Sequence, residues 1–132
     1  MGQTQLLMIV LAVIIVGIAV AVGITQFGES AVTANRDAVQ LDCQRIVSNA
    51  QQWYKKPSSL GGGNNSFTGC TLAKLGVAAS NQNGSYALTV ASGGASISVV
   101  GTGTENNSAG NSIEVTMAYF AANDSTAYSD NM

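Results

Sequence analysis

The stretch that decides the fold is Leu6 to Ile24, LLMIVLAVIIVGIAVAVGI, which contains no charged, amide or hydroxyl side chain. As an α-helix rising about 1.5 Å per residue, it would span roughly 28 Å, close to the roughly 30 Å hydrocarbon core of a bilayer. Burial of each large apolar side chain is worth about 1.5–3 kcal/mol, so leaving the whole segment in water would cost tens of kcal/mol. The segment is therefore predicted to be buried in lipid or in other protein.

The flanks of this segment fit neither a secretory signal nor a conventional membrane anchor. Met1 to Gln5 contains no Lys or Arg, whereas a cleaved signal begins with a basic region. The first basic residue after the segment is Arg36, so the basic cluster that usually fixes an anchor is missing.

The helical pattern continues beyond Ile24. No proline occurs between Thr25 and Tyr54, and polar residues such as Arg36 and Gln44 alternate with apolar residues at steps of three and four. The apolar stripe consists of Phe27, Ala31, Val32, Val39, Cys43, Ile46, Val47, Ala50, Trp53 and Tyr54. The pattern predicts one helix of about fifty residues that ends at Lys55-Lys56-Pro57. Residues 1–26 would be buried on every side, and residues 27–56 would lie on a small head formed by 27–132.

The remainder of the head is predicted to be a loop followed by a small sheet. Residues 57–84 are rich in Gly, Ser and Asn, with a single helical turn in TLAKLG closed by Gly76. Three alternating runs follow within 85–121, SYALTVA, ASISVV and SIEVTMAYF. The tail, 122–132, either adds an edge segment or wraps the sheet. The predicted fold class is α+β, with one long N-terminal helix packed on an antiparallel sheet of about three to four strands.

Composition excludes several functions. Five Lys and Arg face seven Asp and Glu, with no basic run longer than Lys55-Lys56, so no nucleic-acid partner is predicted. The chain has no histidine and no nucleophile motif, so we predict neither catalysis nor a metal site nor a cofactor. The two cysteines of a chain that looks exported predict a Cys43–Cys70 disulfide, worth about 3.5 kcal/mol in the chain-entropy model.

QLLMIVLAVIIVGIAVAVGI, followed by an amphipathic helix half, a loop and a small sheet, resembles the type IV pilin family, which includes the pseudopilins of type II secretion. The resemblance implies processing by a prepilin peptidase, which cuts a short leader after glycine, and methylation of the new first residue. It leaves two registers open. Either Met1 is already the mature first residue, or Gly2 ends a very short leader and Gln3 is the first.

The chain departs from the family pattern at three places. The family's glutamate at the fifth mature position is replaced by Gln5 or, in the other register, by Leu7. The neutral Gln3, Thr4 and Gln5 are then expected to hydrogen-bond a neighbour's terminus without a buried charge. The family's helix-breaking proline is also missing; Gly17 and Gly23 lie where filament subunits of the family often lose helicity.

The third departure concerns the acid-rich calcium loop of major pseudopilins. The nearest stretch here, GTGTENNSAGN, offers only Glu105, which favours a pilus subunit over a secretion pseudopilin.

The resemblance implies a structural subunit of an extracellular type IV pilus-like filament. The chain would wait in the inner membrane and then join a homo-oligomeric helical filament through an assembly platform. Its filament core would include Leu6, Ile9, Val13, Ile15, Val20 and Ile24. The alternatives are a type II secretion pseudopilin and a single-span membrane protein that displays a binding domain. Four N-x-S sequons are candidate glycosylation sites in a host with the transferase, at Asn64, Asn83, Asn106 and Asn123.

Overall fold

A computed structural model describes residues 2–132 of the chain. Its first element is a single α-helix, α1, that runs without interruption from Gly2 to Lys55. At about 1.5 Å per residue its 54 residues extend about 81 Å. It ends where the sequence places two lysines before Pro57, because proline disfavours helical conformation in the residue before it. The predicted long helix and its end are confirmed.

The sheet has four antiparallel strands in the order β1-β2-β3-β4, which are Gly84–Val90, Ser96–Asn106, Ser112–Phe120 and Ser125–Asp130. The tail therefore contributes an edge strand, β4, which settles the choice between an edge segment and a wrapping segment. Strand β2 runs six residues beyond the predicted ASISVV, and its pairing with β3 is irregular between Thr102 and Asn106. The extension contains Gly101 and Gly103, and glycine weakens a strand pattern in the sequence.

The core lies between α1 and one face of the sheet. Alternate residues of β2 and β3 are buried there, namely Ile97, Val99, Ile113, Val115, Met117 and Tyr119. They pack with Val39, Cys43, Ile46, Val47, Ala50 and Trp53 of α1. This arrangement confirms the α+β fold, with the helix stripe covering the apolar face of the sheet.

The helix meets the head later than its apolar pattern predicts. Phe27 is 79% exposed and Ala31 is exposed, whereas Val32 is the first stripe residue that packs against the core. The first two positions of the predicted stripe therefore lie outside the core, because the sheet extends no further along the helix.

The helix and β2 approach closely at Gly101. A Cβ atom at this glycine would lie 2.6 Å from Val39 Cγ1 and 2.8 Å from Cys43 Sγ, so no larger residue fits without moving the helix.

The loop between α1 and β1 covers the β1 side of the sheet. Leu72, Leu75 and Val77 pack against the core there, and the predicted turn in TLAKLG is present, with the Leu75 amide bonded to Thr71 O. Gly76 ends this turn with φ of 70°, a conformation that favours glycine. In contrast, every residue of β4 is exposed, so the two flanks of the head differ.

Candidate functional site: an exposed apolar helix on a fixed head

The apolar part of α1 projects from the head with no protein around it. The six residues predicted to form the filament core are between 55% and 69% exposed, namely Leu6, Ile9, Val13, Ile15, Val20 and Ile24. The helix is long and apolar enough to cross a membrane, and none of its most apolar window is buried within the chain. A patch of this size exceeds what monomeric soluble proteins leave in water, so it marks a contact with lipid or protein.

The polar side chains at the start of α1 are also exposed. Gln3, Thr4 and Gln5 are exposed in the first turns of α1, and their side chains bond no other residue within 2–132. Met1, one of the two candidate first residues, lies outside the described residues. The helix stays regular through Gly17 and Gly23, and a Cβ atom at either glycine would meet nothing within 4 Å.

Asn35 fixes the place where α1 enters the head. Its side-chain Oδ1 accepts hydrogen bonds from the amides of Thr104 (3.0 Å) and Glu105 (3.3 Å). Its Nδ2 donates to the carbonyl oxygen of Asn83 (2.9 Å) and to Thr104 Oγ1 (3.2 Å). One amide side chain therefore joins the helix to the irregular part of β2 and to the residue before β1.

Asp42, about two helical turns after Asn35, fixes a neighbouring part of the head. Its Oδ2 accepts hydrogen bonds from Asn81 Nδ2 (2.9 Å), Asn83 Nδ2 (2.9 Å) and the Tyr86 hydroxyl (2.5 Å). Burial by itself would raise the pKa of Asp42, but these three hydrogen bonds favour the carboxylate and the pKa is lowered. The pKa of Tyr86 is raised, chiefly by burial and then by its bond to Asp42. The cluster pins the end of the loop to the helix.

Arg36 links α1 to the exposed edge strand. Its guanidinium lies 2.9 Å from Asp37 and 3.8 Å from Asp130, near the end of β4. The Tyr128 hydroxyl donates to the same Asp130 carboxylate at 2.7 Å. These contacts hold β4 beside the helix although its residues are exposed. Together with Asn35 and Asp42 they make the head a fixed attachment for the projecting helix.

The predicted disulfide is absent from the structure, in which Cys43 and Cys70 are separate, buried free thiols. Cys43 packs under Gly101 on the helix, and the Cys70 amide bonds the carbonyl oxygen of Phe67 within the loop. Backbone hydrogen bonds hold the loop instead, including Gly63 N to Trp53 O and Phe67 N to Gly94 O. Burial raises the pKa of the Cys43 thiol to about 11, with a smaller contribution from the charge of Asp42.

The four sequons have different surroundings. Asn64, Asn106 and Asn123 are exposed, whereas the Asn83 amide is bonded to Asp42 and half-buried. A glycan at Asn83 would require breaking the Asp42 cluster, so only the other three side chains are accessible in the folded chain.

Sequence reasoning missed Asn35 and Asp42 as fixing residues. Asn35 lies three residues after Val32 and four before Val39, so it occupies an apolar-face position of the helix. A polar residue at such a position was the available signal, because it must find hydrogen-bond partners where it is buried. The signal for Asp42 was weaker, because it lies beside the stripe and its partners come from the loop and from β1, about forty residues later in the chain.

Within residues 2–132, no three His, Cys, Asp or Glu side chains are grouped so that they could hold a metal ion. Comparison with family models, with curated proteins and with solved structures found no match to the chain.

Proposed function

We propose that the chain is the structural subunit of an extracellular helical filament of the type IV pilus kind. The observation that carries the proposal is the contrast between the two parts of one rigid helix. From Val32 onward one apolar stripe of the helix packs against the head, whereas from Leu6 to Ile24 the apolar side chains are exposed on all sides. A surface that is apolar all round suits burial among several parallel helices as well as it suits lipid.

The mechanism is a transfer of this helix between two apolar surroundings. The precursor pool lies in the inner membrane, where a prepilin peptidase processes it, and an assembly platform then moves the helix from lipid into a bundle of identical helices. The absence of charge from Leu6 to Ile24 favours this transfer, because no ionised group has to change its solvation. Gln3, Thr4 and Gln5 would then hydrogen-bond the terminus of a neighbouring subunit.

A single-span membrane protein with an exposed head is the second candidate, because α1 alone meets the length and composition of a membrane span. The structure of the head does not favour a binding module, because the polar side chains clustered around Asn35 and Asp42 hydrogen-bond other groups of the head. A secretion pseudopilin is related to the first proposal and is distinguished by where the polymer is found.

The test is to shear cells that make the protein, purify any surface fibres and determine their helical structure at side-chain resolution. The proposal expects fibres built from this chain, with Leu6 to Ile24 packed along the axis. Recovery of the chain only from the membrane fraction would overturn the proposal in favour of the anchor or the short periplasmic pseudopilus.

A substitution in the helix tests the buried core directly. Ile15→Lys places an ammonium where the filament offers it no partner, at a cost of several kcal/mol per subunit, so fibres should be lost. Leu60→Lys is the matched control, because Leu60 is 65% exposed and lies in the loop of the head. Normal fibres from Ile15→Lys would contradict burial of this segment.

A further inference from the structure

The head carries opposite charges at its two ends along α1. At the end where the helix stops, Lys55 and Lys56 are exposed, and the Lys74 ammonium lies 5.9 Å from the centre of the Trp53 ring. Among residues 2–132, the only carboxylate near this end is Asp124, which accepts a hydrogen bond from Tyr119. We refer to Lys55, Lys56 and Lys74 as the lysine end.

The other end of the head, where α1 leaves it, is acidic. Within residues 2–132, five carboxylates lie near this end, and Arg36 is the one basic residue beside them. They are Glu29 and Asp37 on α1, Glu105 and Glu114 on β2 and β3, and Asp130 on β4. We refer to these five residues as the carboxylate end.

Most of these charges have no partner within the chain. In residues 2–132 the ion pairs join Arg36 to Asp37 and Asp130, and Arg45 to Asp42. The three lysines of the lysine end and the three glutamates of the carboxylate end lie outside these pairs. Both ends of the head therefore present charged side chains without an ion-pair partner to any molecule that contacts the head there.

We propose that the lysine end of one subunit docks on the carboxylate end of a second copy of this chain, shifted along the helix axis. This inference rests on the proposed filament and identifies which head surfaces meet in it. The contact is heterologous, because it joins two different surfaces of identical chains, and repeated contacts of this kind build an open polymer instead of a closed dimer. Opposite charge selects the parallel, shifted arrangement over two copies side by side.

The size of the shift follows from the helix. Glu29 and Lys55 are 26 positions apart, which corresponds to about 39 Å along α1. A copy shifted by that distance has its Glu29 level with Lys55 of the first copy and its Ile15 level with Leu41. Leu41 is 65% exposed on the helix face turned away from the sheet, so the same shift brings the apolar segment of one copy beside the exposed apolar residue of the other.

Zero-length carbodiimide cross-linking of native filaments, followed by mass spectrometry, tests the contact. The expected result is an amide bond between a lysine of the lysine end and a carboxylate of the carboxylate end. A Lys55–Glu29 bond cannot form within one chain, because the two residues are about 39 Å apart. Filaments that yield no such bond, although their lysines still react with an acetylating reagent, would overturn the contact.

Charge reversal and repair provide a second, independent test. Lys55→Glu with Lys56→Glu should reduce the yield of filaments several-fold, and adding Glu29→Lys with Glu105→Lys in the same chain should restore it. Ala87→Glu with Ala127→Glu is the control, because it adds two negative charges at exposed positions near the middle of β1 and β4 and should leave the yield unchanged.

Unchanged yield from the reversed chain would overturn the contact while leaving the filament intact. A wild-type chain that forms no filament would overturn the proposed function and the contact together. The two failures are therefore distinguishable by the wild-type result.

Discussion

The side chain of Asn35 accepts a hydrogen bond from the amide of Thr104, 69 residues later in the chain, at 3.0 Å. The same oxygen accepts the amide of Glu105, and the irregular pairing of β2 begins just before, at Thr102. A strand whose regular ladder is interrupted leaves amides without partners, and the helix supplies one acceptor for two of them. Asn35 thereby determines how the head is mounted on the projecting helix.

Replacing Asn35 with Ala should destabilise the head by about 1–3 kcal/mol, because the amides of Thr104 and Glu105 lose their acceptor. The measurement is thermal unfolding of the full chain in detergent, followed by the fluorescence of Trp53, the single tryptophan. Asn49→Ala is the control, since Asn49 lies on the same helix and its side chain bonds no residue within 2–132. Equal melting of the two variants would contradict the role of Asn35.

The stability of the head should depend on the ionisation of Asp42. Its folded-state pKa is lowered below the ordinary value of 3.8, so its contribution is complete above that value and is lost as the pH falls through the lower folded pKa. Asp42→Asn should cost about 1.5–3 kcal/mol at neutral pH, because the new amide places a donor beside the donors of Asn81 and Asn83.

The measurement for Asp42 is the difference in unfolding free energy between wild type and variant from pH 7 to pH 2. This difference should shrink once the pH falls below 3.8. Glu105→Gln is the control, because Glu105 is exposed and its carboxylate bonds no residue in the described part of the chain. A difference that stayed constant across this range would show that the ionised form of Asp42 is not required.

Close packing at Gly101 should make this position intolerant of any side chain. Gly101→Ala would press its methyl group against Val39 and Cys43, and overpacking of this kind costs about 1–3 kcal/mol. Gly28→Ala is the matched control, because its methyl group meets nothing within 4 Å and alanine favours the helix by about 1 kcal/mol. Thermal unfolding of both variants checks the prediction, and a Gly101→Ala head as stable as wild type would argue against the close approach.

The two thiols should be unreactive in the folded chain and reactive after unfolding. The pKa of Cys43 is raised to about 11 and that of Cys70 is also raised, in both cases chiefly by burial, so almost no thiolate exists at pH 8. A thiol reagent should label neither residue in the native protein and both in denaturant without reductant. Labelling that requires prior reduction would show a disulfide instead of two free thiols.

The long helix, and an apolar half long enough to cross a membrane, were predictable from the chain alone. An uncharged run from Leu6 to Ile24 cannot remain in water, and the absence of proline between Thr25 and Tyr54 extends the helix to the lysines before Pro57. The alternation in β1, β2 and β3 likewise determined which residues face the core, because side chains in a strand point to opposite faces in turn. These are local properties, because each depends only on residues within a short segment of the chain.

The tertiary structure decided what depends on residues far apart in the chain. The tail became β4 because β3 offered it a free edge and Arg36 a charged partner for Asp130, neither of which is visible in the tail itself. The head begins at Val32 instead of Phe27 because the sheet is shorter than the apolar stripe. The tertiary structure also decided the hydrogen bonds of Asn35 and Asp42 and the free state of the two thiols. A hydrogen bond or a disulfide requires a distance between side chains that only the folded chain fixes.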